Sequence, residues 1–109
     1  MAEDHVGKTA DPGQVKKAGE RAKLTRQTEL RDLLHVLTDR EGRRFVWRYL
    51  SEAGVFRSSF HQSGSVVFWN EGKRQMGLTL LADVMEADPS AYMTMATEAQ
   101  QDEAKQPSS

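Results

Sequence analysis

Arg43, Arg44 and Arg48 surround Trp47 on a short stretch of chain, and Arg57, Lys73 and Arg74 follow at intervals. Such a set suggests one chemistry: cationic heads neutralise phosphate oxygens while Trp47 or Phe60 offers a ring on which a base can stack. A second cationic group, Lys16, Lys17, Arg21, Lys23 and Arg26, falls within residues 14–31, where six basic residues meet two acidic ones. The competing reading for both groups is a solvated face. Its arginine stems cover apolar rims and its heads pair with Asp39, Glu41 or Glu71. No helix-turn-helix with base-reading side chains stands out, so sequence-specific recognition is not expected.

Catalysis has less to draw on. His5, His35 and His61 are scattered, match no metal-binding spacing such as H-E-x-x-H, and have no cysteine to supplement them. Ser58, Ser59 and His61 offer a nucleophile and a base, but as loop neighbours without a scaffold or a G-x-S-x-G elbow. The segment NEGKRQMG, residues 70–77, lacks the order of glycines and lysine that cradles phosphate. Asn70 and Glu71 are read instead as hydrogen-bonding to the preceding loop. No catalytic, metal-ligating or cofactor-binding residue is assigned, and neither enzyme activity nor a cofactor is expected.

The 109 residues suffice for one small domain. Net charge is −1, but residues 1–57 carry 12 Lys/Arg against 9 Asp/Glu, and residues 58–109 carry 3 against 7. The absence of cysteine excludes a disulfide framework and fits a reducing compartment. The polar, acidic N-terminal stretch does not read as a secretory signal. No apolar run approaches the ~18 residues of a membrane span, so a soluble protein is expected.

The elements that must position these residues are helical. Residues 1–12 and 101–109 read as disordered polar tails around a domain at 13–100. One long helix is expected at 13–38. Its first half is a projecting basic arm, and Leu30, Leu33, Leu34 and Leu37 form a buried stripe in its second half. A capping box of Thr38 and Glu41, with Asp39 as the rival cap, starts a second helix at about 41–53. This helix places Phe45, Val46, Tyr49, Leu50 and Ala53 on its core face and Trp47 off it. Gly54 fits the left-handed residue beyond its end, with Val55 folding back on Leu50. A third helix starts at Ser65 and buries Trp69, Met76, Leu80 and Val84. Asp88 and Pro89 start a short fourth helix with Tyr92, Met95, Ala96 and Ala99 on its apolar edge. The fold class is all-α: a small bundle of three to four helices with a long, partly projecting N-terminal helix.

Phe56, Phe60, Phe68 and Trp69 crowd around a loop of small residues. Because short helices leave a core short of volume, Phe56 and Phe60 are expected to plug the open end between the second and third helices. Gly72 is expected to give a ring or the loop backbone room to approach. Gly77 interrupts the same helix, where another backbone or ring comes close.

At these residues the chain resembles a family of small phage proteins typified by one from a Bordetella short-tailed phage. The resemblance rests on GRRFVWRYLSEAGVFRSSF and NEGKRQMGLTLLADVMEADPSAYMTMATEA, spanning residues 38–99. Lys73 and Arg74 stand at the family's basic pair, followed by Gly77 and Leu78, and Pro89 falls in its Asp-Pro-x-x-Tyr cap. The resemblance implies a gene among head and tail components. It implies a non-enzymatic virion-associated or assembly protein, internal to the head or involved in DNA ejection, and found in the virion or in the host cytoplasm during assembly. Its partners would be other virion proteins and further copies of itself. The alternative is a small nonspecific DNA-binding protein using the basic N-terminal helix.

Overall fold

The structure, a computed structural model, describes residues 11–106, and they form four α-helices with no strand among them. Helix α1 spans Pro12–Val36, α2 Arg40–Glu52, α3 Gly64–Ala87 and α4 Ala91–Lys105. The expected tails at residues 1–10 and 107–109 lie outside the described residues. Residues 101–105, assigned to the C-terminal tail on composition, belong instead to α4. Ion pairs from Arg40 and Arg44 to Asp102 hold this last turn against α2.

Pro12 occupies the first turn of α1, where its missing N–H costs nothing. Residues 11–25 are all exposed, as expected of a projecting arm. The leucine stripe of the second half is only partly covered: Leu37 is buried, Leu30 and Leu33 are half-buried, and Leu34 is exposed. Thr38 does not cap α2. Its Oγ1 donates back to the Leu34 carbonyl at 3.0 Å and finishes α1, leaving Asp39 at the N-cap position of α2. The turn between the two helices is so tight that a Cβ on Gly42 would collide with the Val36 carbonyl.

Helix α2 ends in a Schellman motif. Gly54 has φ +83, its N–H meets the Ser51 carbonyl at 3.1 Å, and the Val55 N–H meets the Leu50 carbonyl at 3.2 Å. The turn sends Val55 inward and Phe56 outward. Val55, not a phenylalanine, therefore closes the space between α2 and α3, and it does so over Gly77. A Cβ at Gly77 would lie 2.5 Å from Val55 Cγ2 and 2.6 Å from Ala53 Cβ. The expected close approach falls at this glycine, whereas Gly72 has nothing within 4 Å. Phe56 lies over Trp47 at 4.9 Å between ring centroids and faces Tyr92 of α4 at 6.4 Å, while Phe60 is 80 % exposed. Neither phenylalanine plugs the bundle.

Helix α3 begins at Gly64 behind Ser63, two residues before the expected Ser65 cap. Asp88 accepts from the Ser90 N–H at 3.1 Å and from its hydroxyl at 2.7 Å. This forms an Asx-type turn, and α4 starts behind Ser90 instead of at Pro89.

The core comprises Leu37, Val46, Leu50, Val55, Val84, Ala91 and Met95, with Leu33, Trp47, Ala53, Leu78, Leu80 and Leu81 packed around it. On α2 the buried face turns toward Trp47, and Phe45 and Tyr49 stay outside, tilted against each other at 4.9 Å with the Arg48 guanidinium over both rings. The result is a plate. Its Cα extents are 67 × 40 × 15 Å and its radius of gyration is 19.8 Å, against about 13 Å for a compact domain of this length. A Cα thickness of 15 Å is roughly what two packed helix layers span.

Candidate functional site

The arginines, read from sequence either as phosphate contacts or as a solvated face paired with nearby carboxylates, join the helices. Arg43 approaches Glu98 of α4 with both edges of a fork, Nε to Oε1 at 2.9 Å and Nη2 to Oε2 at 2.8 Å. Its Nη1 donates to the Leu37 and Thr38 carbonyls, each at 2.9 Å, at the end of α1. One side chain thus ties α1, α2 and α4 together. Beside it Arg40 reaches Asp102 at 2.9 Å and Glu98 at 3.8 Å, and Arg44 reaches Asp102 at 3.4 Å. The Arg43 hydrogen bonds, followed by the attraction of Arg43 and Arg40, hold the Glu98 carboxyl below its ordinary value. Asp102 is lowered in the same way, first by its hydrogen bond from Arg40.

The cleft along this seam is about 300 Å³, with Arg40, Arg43, Arg44, Arg48 and Trp47 facing Glu98, Asp102 and Glu103. Its cations already face carboxylates, so a phosphate entering here would have to displace them. Arg48 pairs within its own helix, with Glu52 at 3.7 Å. On the arm, Arg26 bonds Asp83 at 2.7 Å and Glu86 at 2.9 Å, which raises its already high pKa and docks α1 on α3. Sequence reading missed Arg40 and these acidic partners. The signal was present: Asp83 and Glu86, three apart, and Glu98 and Asp102, four apart, each form one helix face opposite arginines of another helix.

The remaining cations of the sequence reading are not brought together with this cluster. Lys16, Lys17, Arg21 and Lys23 lie exposed along the arm, and Lys73 is exposed on α3. Arg74 is half-buried, and its Nε is enclosed without a hydrogen-bond partner. Lys73 and Arg57 border a second, polar cleft of about 240 Å³ with Ser58, Ser59 and Asn70. There Asn70 donates to the Ser59 carbonyl at 3.4 Å, as the sequence suggested, whereas Glu71 makes no hydrogen bond among the described residues. Ser58 and His61 engage the backbone of their own loop, Ser58 Oγ accepting from Phe60 N–H and His61 Nδ1 from Ser63 N–H. Among the described residues no three His, Cys, Asp or Glu side chains converge as a metal site, and no helix is long and apolar enough to cross a membrane.

The open surface is apolar. Trp69 and Met76 of α3, placed in the core stripe by periodicity, are 68 % and 72 % exposed, and Phe68 beside them is 81 % exposed, while Val84 on a neighbouring flank is fully buried. Phe68, Gly72 and Met76 recur every four residues, and Trp69 stands three before Gly72, so all four share one face of the helix. Phe60, Phe45 and Tyr49 add exposed rings elsewhere on the plate. Phe68, Trp69 and Met76 thus stand together on one exposed helix face, the kind of patch that in other proteins is often an interaction site.

Gly42, Arg43, Gly54, Val55, Phe56 and Gly77 lie within the quoted motifs, and each has a role in a turn, a clasp or a close approach. The motifs therefore describe an architecture and assign no reaction. No curated protein and no solved structure matches the chain. A family model does, over residues 33–97, from the end of the arm to the middle of α4. The chain belongs to the Bbp19-like phage protein family.

Proposed function

We propose that this phage protein is a non-enzymatic component of the virion or of its assembly, acting through protein contacts. The observation that supports the reading is the exposed apolar face of α3, where Phe68, Trp69 and Met76 stand together with no cover from the described residues. Two arginines that could have met phosphate, Arg43 in the motif and Arg26 on the arm, are held in ion pairs. A location inside the head or on the path of DNA ejection is the finer form of the proposal. Mass spectrometry of purified particles tests it: the chain is expected among the virion proteins, and its absence from particles while present in infected cells overturns the proposal.

One observation favours a second reading. Lys16, Lys17, Arg21 and Lys23 stand exposed on an arm that buries no side chain, and such an arm fits the phosphates of nucleic acid. If it binds there, log affinity falls with log salt at a slope of about −0.9 for each phosphate neutralised. Lack of binding to duplex DNA at low salt removes this reading.

A further inference from the structure

We infer that the cleft between the end of α2, the loop after it and α3 is a binding site for a single phosphate group. Arg57 and Lys73 hold the charge, with Ser58, Ser59 and Asn70 around them. The inference goes beyond the proposed function and stands or falls without it.

Charge separates this cleft from the one along the seam of α2 and α4. There the arginines face Glu98, Asp102 and Glu103. Here two cations line the cleft and no acid does. Among the described residues neither Arg57 nor Lys73 forms an ion pair. A recess lined by charge of one sign concentrates the opposite ion.

The donors come from two sides. On α3, Asn70 and Lys73 are three residues apart and share a face. On the loop side, Arg57 folds back over the turn. Its Nη2 donates to the Ser51 carbonyl at 3.3 Å and lies 3.9 Å from where a Cβ on Gly54 would stand. That bond fixes the guanidinium at the cleft and leaves most of its N–H donors unspent. It also covers a carbonyl at the C-terminus of α2, whose dipole would otherwise disfavour an anion.

The neutral groups have donors to spare as well. Ser58 Oγ accepts from the Phe60 N–H at 3.1 Å, which leaves its own proton for another acceptor. Ser59 Oγ is enclosed with no hydrogen-bond partner, a state that costs stability until one arrives. Asn70 spends one amide proton on the Ser59 carbonyl, at a long 3.4 Å, and keeps the other. Two cations and three neutral groups with free donors suit an oxyanion, whose charged oxygens accept.

Size limits the ligand. The cleft is about 240 Å³, below the ~300–1,000 Å³ of pockets that enclose drug-sized molecules, and no ring lines it for a base to stack on. The phosphate is therefore the small ion, free or as a monoester, or one link of a nucleic-acid backbone whose bases stay outside.

Two titrations of the full chain test the site, one with inorganic phosphate and one with a short duplex DNA, at constant ionic strength. Backbone amide NMR shifts are the readout. Saturable shifts are expected at Ser58, Ser59 and Asn70, with a dissociation constant for phosphate of about 1 mM, well inside the ceiling for so small a ligand. Lys73→Gln and Arg57→Gln are each expected to weaken binding at least ~10-fold, as loss of a charged hydrogen bond does. Lys16→Gln, on the arm, is expected to bind as wild type. Lys73 is exposed, so its variant keeps wild-type circular dichroism and remains a fair test where Arg57→Gln loosens the turn. Duplex DNA that moves the same amides and is weakened by Lys73→Gln places the phosphate in a backbone; inorganic phosphate alone doing so assigns the small ion. No saturable shift of these amides with either probe, up to about 50 mM phosphate, overturns the inference. So does binding that survives Lys73→Gln or is lost in Lys16→Gln instead.

Discussion

Two glycines of α3, five residues apart, have opposite expected responses to the same change. At Gly77 a methyl group meets Val55 Cγ2 at 2.5 Å and Ala53 Cβ at 2.6 Å, both held by the Schellman turn. Gly77→Ala should therefore destabilise the fold by roughly 1–3 kcal/mol of overpacking, more than the ~1 kcal/mol gained in helix propensity. At Gly72 the space is open, so Gly72→Ala should raise stability by up to ~1 kcal/mol. Urea titration of both variants checks the pair, and a stabilised Gly77→Ala contradicts the packing of Val55 on α3. The phenylalanines separate in the same way. Phe60→Ala should move stability by less than about 0.5 kcal/mol. Phe56→Ala removes ring contacts with Trp47 and Tyr92, worth about 0.5–1.5 kcal/mol beyond lost area. Residue types identified the Gly54 turn correctly because a left-handed cap is a local property. They could not show that Val55 instead of a ring would fill the space between α2 and α3, because that depends on a one-residue phase.

At the scale of the element, α4 is held to α2 by charge as well as by Ala91 and Met95. Both Glu98 and Asp102 are lowered in the folded state, from ordinary values of 4.5 and 3.8. A carboxyl lowered by folding contributes stability that is complete above its unfolded value and is lost as pH falls through its folded one. The melting temperature should thus be level from pH 7 to about 5 and fall below about pH 4. In Glu98→Gln part of that fall should be gone, and a variant with an unchanged acid limb contradicts the clasp. Arg43→Ala, which frees Glu98 and two carbonyls at the end of α1, should cost roughly 2–3 kcal/mol. The four helices themselves were legible, since leucine spacing, Pro12, Gly54 and the Asp88–Pro89 pair are signals read within one segment. The clasp was not, because it requires knowing that α2 lies beside α4. Arg43 and Arg44 were therefore read as solvated charge or phosphate contacts, and Arg40, Glu98 and Asp102 were not singled out.

For the whole molecule, periodicity showed that α3 has an apolar stripe but not what would lie over it. Trp69 and Met76 were read as core because they share a helical stripe with Leu80 and Val84. The plate places them outside, and the apolar pattern becomes evidence for contacts beyond the chain. We propose that this Bbp19-like phage protein works as a part of the particle through contacts on that face. Quantitative mass spectrometry of purified virions, comparing phage carrying the wild type with phage carrying Trp69→Glu, tests it most directly. The wild-type chain should be present at a fixed copy number per particle, and the Trp69→Glu chain, although folded and abundant in the infected cell, should be depleted from particles. Particles lacking the wild-type chain, or carrying both forms at the same copy number, would contradict the account.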